Sequence, residues 1–180
     1  MLGRATCQLM PGARLLKSAH IRNIRGCSEN IRVGPKTLVA GELLIFPSPL
    51  YRCGLIEMGE WCYVGENARI WSAASIRIGD RVLISHDVNI MDSSAHPLNP
   101  RERHEQFRAI ADRGHPANVK LDGVPIVIGD DAWIAAAAII LRGVTIQLCE
   151  EFSERLPFDS DSFDVVFARA VLHHSPTPAI

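Results

Sequence analysis

The sequence predicts a mainly-β solenoid, a prism-shaped coil of short strands. Aliphatic residues recur every six positions through the middle of the chain, a period that is neither helical nor simple alternation. A small or Val side chain stands four residues after most of them. Aromatics make up only 6% of 180 residues although 47% are hydrophobic, so the apolar mass is aliphatic. A narrow interior filled by stacked aliphatic rungs requires that composition.

The chain opens on a basic stretch. Residues 1–30 carry Arg4, Arg14, Lys17, Arg22 and Arg25 against Glu29, and are read as an N-terminal lead-in or cap. They lack the apolar block and cleavage site of a secretory signal. The repeat begins at Val33, Val39 and Ile45, and continues at Met58, Val64 and Ile70 and at Ile78, Ile84 and Ile90. After a gap it resumes at Ile128, Ile134, Ile140 and Ile146. The small position holds Thr37, Cys62, Ala68, Ala74, Val82, Val88, Ser94, Ala132, Ala138 and Val144. Gly34, Gly59, Gly79 and Gly129 directly follow an aliphatic rung and are expected to permit the bend at each corner. Each turn of such a solenoid leans on its neighbours.

Over residues 31–146 this pattern resembles the hexapeptide-repeat acyltransferases. The resemblance implies a left-handed parallel β-helix, against the usual right-handed rule for parallel crossovers. It also implies a homotrimer with sites between subunits, and acetyl-CoA as acyl donor.

Two interruptions break the repeat. Residues 47–53 form a short Pro-bearing one; residues 97–125, with Pro97, Pro100, Gly114, Pro116 and Gly123, are read as a long inserted loop. Repeat insertions often mark the functional face. The segment Ile90-Met91-Asp92-Ser93-Ser94-Ala95-His96-Pro97 leads into it. It resembles the loop start of sugar O-acetyltransferases of the maltose, galactoside and lipopolysaccharide-modifying branch. That resemblance implies His96 as the general base that takes the acceptor hydroxyl's proton. An imidazole suits the task, because with an ordinary pKa of about 6.5 it is mostly neutral at pH 7 and still basic enough to accept. Asp92 is expected to orient the imidazole, to bind the acceptor, or to be a solvated strand-end carboxylate. Ser93 is a candidate for acceptor binding, and Ser94 fills a small repeat position. Arg101, Arg103, His104, Arg108, Arg113, His115 and Lys120 either meet an anionic sugar or coenzyme phosphates, or are solvated charges interleaved with Glu102, Glu105, Asp112 and Asp122.

The stretch from Pro125 to Ile134 resembles the segment that walls the coenzyme A cleft in the same family. It implies Trp133, Ala135 and Ala136 as cofactor contacts, the alternative being a surface Trp on an aliphatic ladder. Trp61 and Trp71 are read as covering coil faces or subunit contacts, and His86 as structural. A related fold hosts zinc-dependent carbonic anhydrases, but His86, His96 and His115 lack that family's paired spacing, so no metal is expected.

Beyond Ile146 the repeat fails, with Gln147 and Glu150 at the Gly and small positions. Residues 147–180 contain Leu156-Pro157-Phe158, Ser162-Phe163-Asp164 and Leu172-His173-His174. They resemble a strand and helix of class I S-adenosylmethionine-dependent methyltransferases. The Gly-rich loop that holds that cofactor does not appear, so S-adenosylmethionine is not expected. The segment is read as a fusion or truncation product without a function of its own.

The net charge of −1 conceals +4 in residues 1–30 and −4 from residue 147 onward. No strongly basic surface marks a nucleic-acid partner. No run of eighteen apolar residues marks a membrane span. Five scattered cysteines without a CxxC pair give neither a disulfide framework nor a zinc ribbon. The sequence therefore predicts a cytoplasmic acetyl-CoA-dependent O-acyltransferase acting on a hydroxyl of a sugar or polysaccharide precursor. The alternatives are a truncated or chimeric, non-catalytic β-helix and, less favoured, a zinc hydratase.

Overall fold

The computed structural model describes residues 7–23, 27–46, 54–114 and 122–147. The chain divides into two units, 1–147 and 148–180. The second unit, and with it the methyltransferase-like motifs, lies outside the described residues.

Among the described residues, sixteen short strands wind as a parallel β-solenoid with three faces. The first turn is β1 (Gln8–Leu9), β2 (Arg14–Leu15) and β3 (His20–Asn23); the second is β4 (Ile31–Val33), β5 (Leu38–Val39) and β6 (Glu42–Ile45). Next come β7 (Ile56–Met58), β8 (Tyr63–Val64) and β9 (Arg69–Ser72), then β10 (Ile76–Ile78), β11 (Leu83–Ile84) and β12 (Asn89–Met91). The last described full turn is β13 (Ile126–Ile128), β14 (Trp133–Ile134) and β15 (Ile139–Leu141), after which β16 (Thr145–Ile146) begins another. Each turn gives one strand to each of three sheets, here called A, B and C in chain order. Residues 7–23, expected to belong to a basic lead-in, are thus already a turn of the coil, with β1, β2 and β3 pairing in parallel with β4, β5 and β6.

Stacking in register produces the aliphatic rungs. Val33, Met58, Ile78 and Ile128 align on sheet A, and Val39, Val64, Ile84 and Ile134 on sheet B. Sheet C aligns Leu43, Ile70, Ile90 and Ile140, all buried. Burying each such side chain contributes roughly 1.5–3 kcal/mol, and no single residue makes a core alone. The second turn departs from the six-residue step. Leu43, not Ile45, aligns with Ile70, and Ile45 sits one pleat further on, opposite Ser72. The corner there is tight because a Cβ on Gly41 would run into the carbonyl of Ala68.

Glycine beside the rungs serves close approach rather than the expected bend. A Cβ on Gly34 would strike the Gly59 carbonyl of the next turn. The left-handed residues that bend the chain are Lys36, Trp61, Arg81 and Asp131 between sheets A and B, and Asn67, Asp87 and Ala137 between B and C. Their repetition at equivalent corners shows that stacking over-determines a conformation that is locally strained. Carboxylates tie the turns together, since Asp80 Oδ1 accepts from Glu60 N at 2.8 Å and Asp130 Oδ1 from Asp80 N at 2.9 Å. Buried Thr37 is satisfied twice, donating to the Gly59 carbonyl and accepting from Cys62 N, each at 2.9 Å.

The long insertion leaves at the corner between sheets C and A, from β12 to β13. It contains a helix, α1 (Pro100–Arg113), where a loop was expected. The Asn99 side chain accepts from Arg101 N and Glu102 N, Pro100 occupies the first turn, and Gly114 at φ 81° ends the helix. No residue of α1 is buried, so the helix stands outside the core that the repeat marks out.

Ile76 and Arg77 are neighbours on β10 with opposite environments. Truncating buried Ile76 to Ala is expected to destabilise the fold by about 2–5 kcal/mol. Arg77→Ala removes only an exposed ion pair with Glu57 at 3.6 Å and should cost no more than about 0.5 kcal/mol. Urea unfolding of the two variants compares them, and equal losses would contradict the inward and outward alternation.

Candidate active site

His96 stands at the head of the insertion with its side chain exposed. Ala95 adopts φ 56°, and His96 N donates to the Ser94 carbonyl at 2.6 Å, which turns the chain sharply off the coil. The imidazole Nδ1 lies 2.8 Å from Gln106 Oε1, on the second turn of α1. Arg103 Nη1 donates to the carbonyls of Pro97 and Leu98 at 3.2 and 3.1 Å, pinning the backbone that follows His96.

Asp92 is buried, so the solvated-carboxylate reading fails. Its Oδ2 accepts from Ser72 Oγ at 2.6 Å and Ala74 N at 2.9 Å, and its Oδ1 from Ala73 N at 2.7 Å. Burial pushes its carboxyl above the usual range, and these donors partly oppose that. Meanwhile the Asp92 carbonyl accepts from Val124 N at 2.8 Å, at the far end of the insertion. One residue therefore fastens the start of the insertion to the turn below and to its own exit. Ser93 is also buried, and its hydroxyl has no hydrogen-bond partner among the described residues.

Trp133 begins β14 and is 65% exposed, its indole N–H donating to Ser85 Oγ at 3.3 Å. Ala135, Ala136 and Ala137 follow at the exposed corner between sheets B and C, a run of small side chains that would leave a shelf for a thin ligand. Below it, His86 is exposed and its Nδ1 lies 2.8 Å from Asp87 Oδ2, a contact that holds the Asp87 carboxyl below its usual range. The candidates thus divide between two places. His96 sits at the edge between sheets C and A, whereas Trp133 and the alanines sit on sheet B and at its edge with C. Among the other candidates, Arg101, His104, Arg108 and Arg113 are exposed on α1, while His115 and Lys120 lie outside the described residues. Among the described residues no group of three or more His, Cys, Asp or Glu is arranged to hold a metal ion. No helix among them is long and apolar enough to cross a membrane.

Gln106 was not legible as a site residue, and Arg103, a candidate for anion binding, instead donates to the backbone after His96. Their roles depend on where α1 folds back, ten and seven residues after His96, and no repeat position announces that.

Residues 128–180 match the methyltransferase domain family. Of these, residues 128–147 belong to the solenoid, with strands β14, β15 and β16. The chain is similar to nodulation protein L of Rhizobium leguminosarum bv. viciae, 37% identical over 90 residues, half of this chain and 40% of that protein. It is 34% identical over 89 residues to a Dictyostelium discoideum protein whose name describes it as an acetyltransferase, covering 49% of this chain and 40% of that one. Nodulation protein L of Rhizobium meliloti is 35% identical over 90 residues, 50% of this chain and 42% of that protein. The chain spans about two fifths of the length of these relatives. No solved structure matches it.

The Asp92 arrangement has a measurable consequence. Asp92→Asn places an amide against backbone donors and is expected to cost about 1–3 kcal/mol. Because the folded carboxyl holds its proton more tightly than the unfolded one, its contribution is most favourable below the unfolded pKa of about 3.9 and is lost as pH rises through the folded value. Urea midpoints of wild type and Asp92→Asn should therefore differ most at acid pH and converge toward neutrality. A gap that widens with rising pH would contradict this.

Proposed function

We propose that the chain is an O-acyltransferase that moves the acetyl group of acetyl-CoA to a hydroxyl of a sugar or polysaccharide precursor. The observation that carries this reading is His96, an exposed imidazole held through Nδ1 at the head of the insertion of a parallel β-solenoid. A relative named as an acetyltransferase supports it.

In this reading the free Nε2 of His96 accepts the acceptor's O–H proton as that oxygen attacks the thioester carbonyl. The tetrahedral intermediate collapses, the C–S bond breaks, and the coenzyme leaves as a thiol with the proton that His96 returns. The products are an O-acetyl ester and free coenzyme A, and no redox partner enters. Trp133 and the shelf of Ala135 and Ala136 are proposed to take the pantetheine arm, since small side chains let a thin ligand lie against the backbone.

The split between two edges of the coil gives a reason for assembly. A base on one edge and a coenzyme wall on another meet when two chains pack side by side, as in the proposed homotrimer. The outer columns fit such packing: sheet B presents Leu38, Tyr63, Leu83 and Trp133 in register, and sheet A presents Arg32, Glu57 and Arg77. An apolar outer column gains from being covered; a charged one does not.

Thiol release from acetyl-CoA in the presence of sugar acceptors tests the reading. His96→Ala is expected to lower kcat by about 10²–10⁴-fold. Equal rates for variant and wild type would remove His96 from the chemistry. Failure of the chain to bind coenzyme A in calorimetry would favour the second reading, a non-catalytic β-helix.

A further inference from the structure

We infer that Gln106 is a positioning residue that sets the tautomer of His96, a role that rests on His96 being the base. The amide oxygen Oε1 of Gln106 lies 2.8 Å from His96 Nδ1. With the amide oxygen, which can only accept, facing the ring, Nδ1 carries the hydrogen and donates it; an amide turned over would reverse the roles, and the tautomer distinguishes the two. A neutral imidazole has one ring proton. With that proton at Nδ1, the lone pair is left on Nε2, the nitrogen a base needs. Without the contact, histidine in water prefers the opposite arrangement, with the proton on Nε2 and the lone pair on Nδ1.

The insertion is built to hold this geometry. Asn99 caps α1 by accepting from Arg101 N at 2.9 Å, which starts the helix four residues after His96. Arg103 reaches back to the carbonyls of Pro97 and Leu98. The next turn then delivers Gln106 to the imidazole. Asp92 anchors the base of the insertion on the turn below. A glutamine also orients without adding charge: a carboxylate in its place would favour the imidazolium and so oppose release of the proton to the departing thiolate.

Because α1 has no buried residue and Gln106 is only half-buried, its substitution leaves the fold intact, and an unchanged Tm checks this. Long-range proton–nitrogen correlation spectra of the ¹⁵N-labelled full chain at pH 8, with His96 identified by its loss in His96→Ala, read the tautomer directly. Wild type is expected to show a protonated Nδ1 and an unprotonated Nε2. Gln106→Leu should shift both signals toward the Nε2-protonated form and lower kcat on the order of a hundredfold with KM unchanged. Gln106→Glu, which can accept the same proton, should restore the Nδ1-protonated form. A wild-type spectrum with the proton on Nε2, or spectra that Gln106→Leu leaves unchanged, would overturn the inference. The expected spectra from a chain that never releases thiol would support the tautomer assignment and overturn the acyltransferase reading, so the two failures are separable.

Discussion

Contact between successive turns across a narrow interior is the constraint on which the rest of this molecule depends. Each strand is two to four residues long and buries almost nothing by itself. It becomes stable because aliphatic side chains of the adjacent turns stack in register with its own. The same demand explains the glycines, whose missing Cβ lets Gly34 lie against Gly59, and the left-handed corner residues that recur from turn to turn. It also explains why carboxylates such as Asp80 and Asp130 accept from backbone N–H groups of the adjacent turn.

A coil held so uniformly offers few places to put chemistry. Insertion within a strand would break its ladders to the turns above and below, so additional chain leaves at a corner, and the long insertion leaves between sheets C and A. Its anchorage is unusual for a surface excursion: a buried carboxylate with three donors at one end, with the same residue's carbonyl holding the return strand. A histidine raised on that base inherits the rigidity of the coil, which is what a proposed general base needs in order to meet its proton at hydrogen-bond distance. The helix beyond it supplies orientation through Gln106 and needs no core of its own.

Much of the solenoid was readable because a period of six in Ile and Val has few other physical solutions. The readable part ended where the period did. The exception is the first turn, where Leu9, Leu15 and Ile21 keep the six-residue step with Ala13 and Ala19 at the small position, but the charge of that stretch suggested a lead-in. Ile45 was taken for a rung because spacing alone does not show that Ala40 and Gly41 make a short corner. Helix α1 was missed because half of its fourteen residues are charged and none is buried, which left capping by Asn99 and Pro100 as its clearest signature. His96 was findable from its place before Pro97, whereas the inward turn of Asp92 was not, since burial of a carboxylate depends on donors from Ser72, Ala73 and Ala74 one full turn away.

The central claim is that this topology sets the proposed base and the proposed coenzyme shelf on different edges of one coil, so that catalysis takes two chains. Subunit mixing tests it most directly. His96→Ala lacks the base, and Ala136→Trp blocks the shelf; each chain alone should be inactive. Unfolding the two together and refolding the mixture should restore thiol release from acetyl-CoA, because some neighbouring chains then pair an intact His96 with an intact shelf. A co-refolded mixture as inert as its parents, from a wild type that is active and sediments as a monomer, would contradict the account.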